Sequence, residues 1–131
     1  MTQVMPFVAV GAGAAVGAWL RWGLGTVLNP VLPTLPLGTL AANLIGGFLM
    51  GVAMAVLAHF EALAPEVRLL VTTGFLGGLT TFSTFSAETV TLMARQQFGW
   101  TAALVGAHVI GSVAMTLAGI AAVRLVLGSL R

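Results

Sequence analysis

Between residues 72 and 88 the chain runs TTGFLGGLTTFSTFSAE, which gathers three glycines, seven hydroxyl side chains, three phenylalanines and Glu88. Glycine and β-branched threonine in succession at Gly77, Gly78, Thr80 and Thr81 disfavour a continuous helix. A break inside a membrane frees backbone N–H and C=O groups, which are tolerated there only when buried in protein or lining a cavity. The half-helix before such a break ends in carbonyls and suits a cation. The half after it begins with N–H groups at a positive dipole end and suits an anion. The alternative is a plain kink, with the Ser and Thr hydroxyls bonded back to their own helix.

Phe82 and Phe85, three residues apart, share a helical face, with Ser83 and Thr84 between them. Their ring edges carry positive quadrupole charge and could meet an anion without gripping it, or the pair could pack against lipid or protein. His108, Ser112 and Thr116 are spaced by four and so form one stripe, as do Thr39 and Asn43. Each stripe could supply ordinary interhelical hydrogen bonds of about 1 kcal/mol; together they could line one polar track. Few ionisable groups lie within apolar segments, where they are functional hypotheses by default. Glu88 could line the mouth of a path or pair with an arginine as an anchor. Arg21 could attract anions at a vestibule or snorkel to headgroups. His108 reads as a hydrogen-bonded packing residue. There is no HExxH, no phosphate loop and no nucleophile beside a base, so no enzyme is expected.

The elements that must position these residues follow from composition. Of 131 residues, 59% are hydrophobic and 6% charged, too few charges to cover a water-soluble domain when about 25% is usual. The net charge of +2 comes from five scattered arginines and no lysine, with no basic run to grip nucleic acid. The absence of cysteine removes disulfides and thiolate metal sites. The apolar N-terminus lacks a positive region and outruns a signal sequence, so it is expected to be a retained helix. A bilayer core needs about 20 helical residues, and the apolar runs predict four transmembrane helices over about 4–28, 37–58, 66–95 and 100–127, the third broken near 77–81. The 30 residues from Glu66 to Arg95 would span about 45 Å unbroken. Gln96, Gln97 and Gly99 are expected to make the last turn. The whole chain, 1–131, reads as one all-α membrane domain.

Four helices of this size enclose too little space for a conduit, so the lining surfaces are expected to face another copy. Gly13, Gly17, Arg21 and Gly25 recur every four residues, and Gly47 and Gly51 form GxxxG, spacings that let backbones approach. They would serve an oligomer or packing within one subunit. Arg68, Arg124 and Arg131 fall on one side of the membrane and Arg95 and Arg21 towards the other. That is almost no bias, so insertion in both orientations and an antiparallel dimer become plausible.

The segment Gly77-Gly78-Leu79-Thr80-Thr81-Phe82-Ser83-Thr84-Phe85-Ser86, with Gly38-Thr39-Leu40-Ala41-Ala42-Asn43 and Arg21, resembles the Fluc (CrcB) family of fluoride channels, and the similarity covers essentially the whole chain. The resemblance implies a dual-topology antiparallel homodimer in the cell inner (plasma) membrane, with two pores that pass fluoride down its gradient and keep cytoplasmic fluoride low. It implies that Phe82 and Phe85 form the aromatic box and that Asn43 is the pore asparagine. Ser83, Thr84, Ser112 and Thr116 would lie on a hydroxyl track with Glu88 beside it, and Arg21 at the vestibule. Backbone carbonyls of Gly77 and Thr80 would hold a central sodium that is structural and not transported. His108 departs from what the family often carries at that position. A small dual-topology multidrug exporter would need a deep carboxylate on the first helix, which has none, and a non-conducting assembly subunit would not need the hydroxyl stripes.

Overall fold

A computed structural model describes residues 3–129, in which all regular structure is helical and no strand occurs. The elements are α1 (Val4–Leu28), a 3-10 turn (Asn29–Val31), α2 (Leu37–His59), α3 (65–79), α4 (Phe82–Ala94) and α5 (Phe98–Ser129). Val4–Val31, Leu37–His59 and Phe98–Ser129 are each long and apolar enough to cross a membrane. The region expected as a broken third helix forms two pieces, α3 and α4, each short of the roughly 20 residues a crossing needs. Arg131, counted in the charge balance above, lies outside the described residues.

The ends are fixed by specific polar contacts. Asn29 Oδ1 accepts from the N–H groups of Gly38 and Thr39 at 2.8 and 3.2 Å, standing in for the N-cap that Pro36 cannot supply. At the other end of α2, Arg68 donates through Nη2 to the carbonyls of Leu57, Phe60 and Glu61 at 3.1 to 3.2 Å, satisfying acceptors that a helix end leaves open. The turn after α4 is closed by Gln96, with φ of 56°, and by Gln97 N–H on the Leu92 carbonyl at 2.9 Å. Gly99, expected in that turn, already belongs to α5.

Apolar burial between helices drives little association where lipid is as apolar as leucine, so close backbone contact must hold the bundle. A Cβ on Gly17 would collide with the Phe75 carbonyl oxygen, one on Gly13 with that of Leu70, and one on Gly78 with that of Ala14, so α1 and α3 lie backbone on backbone. Gly51 meets the Thr116 carbonyl and Gly119 that of Phe48, which joins α2 to α5 in the same way. These glycines therefore pack within one chain, and they do not mark a surface left for another copy. Leu76 and Leu79 sit with Ala42 and Ala53 in one buried cluster, and Phe85, Leu92 and Leu104 form a second. Outside, Phe7, Trp19, Trp22 and Leu125 stand open, as lipid-facing residues do.

Candidate functional site

The break lies within the expected 77–81, at Thr80 and Thr81 rather than at the glycines. Gly77 keeps helical angles, φ −63° and ψ −36°, because a residue without Cβ is needed at Gly78 for contact with α1 rather than for a turn. Upstream, Leu70–Leu76 is wound wide in π-helical geometry, a form associated with functional sites. The chain turns extended only at Thr80 (φ −85°, ψ 155°) and Thr81 (φ −148°, ψ 117°). Thr81 then caps α4, its Oγ1 accepting from Thr84 N–H at 3.1 Å. Not every hydroxyl serves the break: Thr72, Thr80 and Thr89 each bond back to the carbonyl four residues earlier.

Asn43 on α2 holds the extended Thr81 by both backbone groups. Thr81 N–H donates to Asn43 Oδ1 at 2.7 Å and Asn43 Nδ2 donates to the Thr81 carbonyl at 3.0 Å. A backbone N–H can only donate, so this contact fixes the amide's orientation. Nδ2 also lies 3.0 Å from His108 Nδ1, which must therefore accept, leaving the ring proton on Nε2. His108 is 4% exposed and Nε2 has no partner among the described residues. The ring lies against Phe85, with centroids 4.7 Å apart at 34°. Phe85 in turn meets Phe82 edge to face at 5.5 Å. The two phenylalanines differ in burial: Phe85 is 8% exposed and Phe82 79%.

Asn43, Phe82, Phe85, His108, Ser112 and Thr116, with Thr80 and Thr81, line one open cavity of about 410 Å³. Thr116 Oγ1 reaches both the Gly47 and Ser112 carbonyls at 3.0 Å, so its proton is already engaged. A second cavity, about 360 Å³, is walled by Arg21, Asn29, Thr39, Thr81 and Thr84. Thr81 belongs to both. Thr84 thus faces away from Ser112 and Thr116, and Ser83 is exposed beside the cap, its Oγ 3.3 Å from Thr81 Oγ1. The expected single track is split into two chambers that meet at the break.

Glu88 lies beside the second chamber's Thr39, whose hydroxyl donates to Glu88 Oε1 at 2.6 Å. Oε2 is buried without a partner, so among the described residues no arginine anchors this carboxylate. Six residues from Phe82 is about a third of a turn short of two full turns, and Glu88 accordingly turns towards Thr39 on α2 rather than sharing the phenylalanine face. Arg21 does not snorkel outward: its Nε donates to the Gly78 carbonyl at 3.0 Å. Sequence reasoning set His108 aside as packing and gave Asn29 no role. The His108 signal was its place on the stripe with Ser112 and Thr116. For Asn29 no local signal existed, because its targets lie nine and ten residues on. Among the described residues no three His, Asp or Glu side chains gather to hold a metal.

A family model described as "CrcB-like protein, Camphor Resistance (CrcB)" matches residues 8–120. The chain is 61% identical over 116 residues to a protein of Nitrosospira multiformis, covering 88% of this chain and 91% of that one. It is 59% identical to one of Aromatoleum aromaticum, covering 88% of each, and 55% identical to one of Nitrosomonas europaea, covering 90% and 93%. Each relative carries the name "Fluoride-specific ion channel FluC".

Proposed function

The chain belongs to the CrcB family, and on that premise we propose that it is a fluoride channel whose path runs through the two chambers that meet at Thr81. It is a multi-pass membrane protein of a channel family and not an enzyme. The observation that carries the pathway is the break itself. Asn43 engages both backbone groups of Thr81, while the N–H groups of Phe82 and Ser83 at the start of α4 have no partner among the described residues. Fluoride is small and strongly hydrated, so a path for it must replace water with donors at each step. Those two amides, the Ser112 hydroxyl and the ring edges of Phe82 and Phe85 are the donors on offer, with Ser83 and Thr84 at the cap and His108 Nε2–H buried behind Phe85. Arg21 stands on the side of Thr84 and Thr39 with its Nε on the Gly78 carbonyl, and Glu88 stands beside that chamber.

The functional unit is an antiparallel dual-topology homodimer with two pores, in which α3 and α4 together make a fourth crossing. The 79% exposure of Phe82 beside an open cavity supports this, since a ring that contacts a permeating ion needs a second wall. The break supports a central sodium as well. Among the described residues neither the Gly77 nor the Thr80 carbonyl accepts a hydrogen bond, and two such hard oxygens from each of two chains suit a small monovalent cation. Bound there, the ion would tie the two breaks together without being transported. In the inner membrane such a channel would let fluoride leave passively and keep the cytoplasm low in it.

Purified protein in liposomes loaded with potassium fluoride tests the reading with a fluoride electrode after valinomycin is added. Fast fluoride efflux, with chloride and a cationic dye retained, is expected. Equal chloride release, or none of either, would overturn it.

A further inference from the structure

We infer that Arg21 is the positioning residue of the break, acting through the hydrogen bond of its Nε to Gly78 rather than through its charge. In an unbroken helix the Gly78 carbonyl would accept from the N–H of Phe82, four residues on. The extended Thr80 and Thr81 remove that donor. A buried carbonyl left without a donor is costly, and Arg21 Nε fills the place at 3.0 Å from 57 residues away. The reach is set by α1 itself. Gly13 and Gly17 bring its backbone onto Leu70 and Phe75, and Arg21, four residues further on the same face, arrives where α3 ends.

The consequence lies in which acceptors remain. Thr80 supplies Leu76 with two donors, its N–H at 3.0 Å and its Oγ1 at 2.9 Å. Arg21 closes Gly78. The carbonyls of Gly77 and Thr80 stay without a donor among the described residues, so Arg21 keeps Gly78 from competing with the pair that the proposed sodium would use. It also fixes the end of α3 against which Thr81 is held by Asn43.

Charge and tie can be separated by chain length. In glutamine, Nε2 sits the same number of bonds from the backbone as Nε in arginine, so Arg21→Gln keeps a donor in place and removes the charge. Arg21→Lys keeps the charge and puts a methylene there, and Arg21→Leu removes both. The proposal rests on the channel reading, because fluoride efflux per assembled protein, counted after size exclusion, is its first readout. Arg21→Gln should stay within about threefold of the unaltered rate, and Arg21→Lys and Arg21→Leu should fall about tenfold or more. The second readout is the sodium-dependent rise in thermal midpoint, retained by Arg21→Gln and lost in Arg21→Lys. A Lys variant that fails to assemble while the Gln variant assembles counts for the tie. Full rate in Arg21→Lys with loss in Arg21→Gln, equal loss in both, or full rate in Arg21→Leu would each overturn it. Failure of the unaltered protein to conduct fluoride would instead sink the channel reading. Absence of a sodium shift in the unaltered protein would sink the sodium alone, with the flux pattern still deciding Arg21.

Discussion

Residues 70–79 and 80–88 adjoin in one short segment, and they use their small and polar residues in opposite ways. Before the break, Gly74 and Gly78 put α3 directly on the carbonyls of Val10 and Ala14, and the Thr72 hydroxyl is returned to its own helix. Its last turn leaves the Gly77 carbonyl without a donor among the described residues. After the break, Phe82 and Ser83 stand exposed, Thr81 faces two cavities, and Glu88 holds a buried oxygen with no partner. The difference teaches that in this chain glycine seals and hydroxyl opens. A glycine count alone would have put the site on the wrong side of Thr80.

The contrast breaks most severely at the glycines. Gly17→Val should prevent folding, because its Cβ would enter the Phe75 carbonyl and neither backbone can yield; a loss of about 3 kcal/mol or more is expected. Gly11→Val, on the same helix with nothing within 4 Å, should still give a monodisperse peak after detergent extraction. If both variants fold equally well, the backbone contact is not what seals α1 to α3.

The open side needs a partner, and orientation tests that without touching the site. Two or three lysines added in 29–36 should fix one orientation, and the same change in 60–64 should fix the other. Each variant alone should leave a fluoride-sensitive host unprotected, and the two expressed together should restore growth. Full protection by either variant alone would mean that the functional unit is parallel or monomeric.

Within the aromatic pair the expected effects diverge by observable. Phe82→Ile and Phe85→Ile should each cut fluoride efflux about a hundredfold, since aliphatic bulk lacks the positive ring edge. Only Phe85→Ile should also lower thermal stability, by about 1 kcal/mol, through loss of its contact with His108. Normal efflux from the double variant would return both rings to packing.

Much of this was legible in sequence because it was local. The apolar runs predicted α1, α2 and α5 to within about two residues, since length and hydropathy decide a span. The break falls within the predicted 77–81, at its threonine end; the glycine end stays helical, because a glycine demanded by a neighbouring helix looks the same in sequence as one demanded by a turn. The stripe His108, Ser112 and Thr116 and the pair Asn43 and Phe85 meet in one cavity as four-residue spacing suggests. Thr84 does not join them, because its direction is set by the cap at Thr81. Arg68, read only as a charge on one side, reaches back 7 to 11 residues across the loop to close α2. Such contacts depend on tertiary placement, and no periodicity in the chain carries it.

The smallest expected effect lies at the far end of the open side. Thr39→Val keeps the shape of a residue that is 4% exposed, and the Thr39 N–H on Asn29 is untouched. Only the 2.6 Å bond to Glu88 Oε1 is lost, leaving a carboxylate with neither oxygen held. If Glu88 belongs to the path, its side chain is then free to shift across the chamber that Thr39 and Thr84 share. Efflux should fall about three- to tenfold, within the range of about 0.5–1.5 kcal/mol that a typical hydrogen bond commands, with little change in thermal midpoint. The opposite pattern, a lowered midpoint with efflux per assembled protein unchanged, would make Glu88 an anchor. It would place residue 88 with the glycines before the break, as a part that seals, and the division at Thr80 and Thr81 would no longer separate packing from conduction.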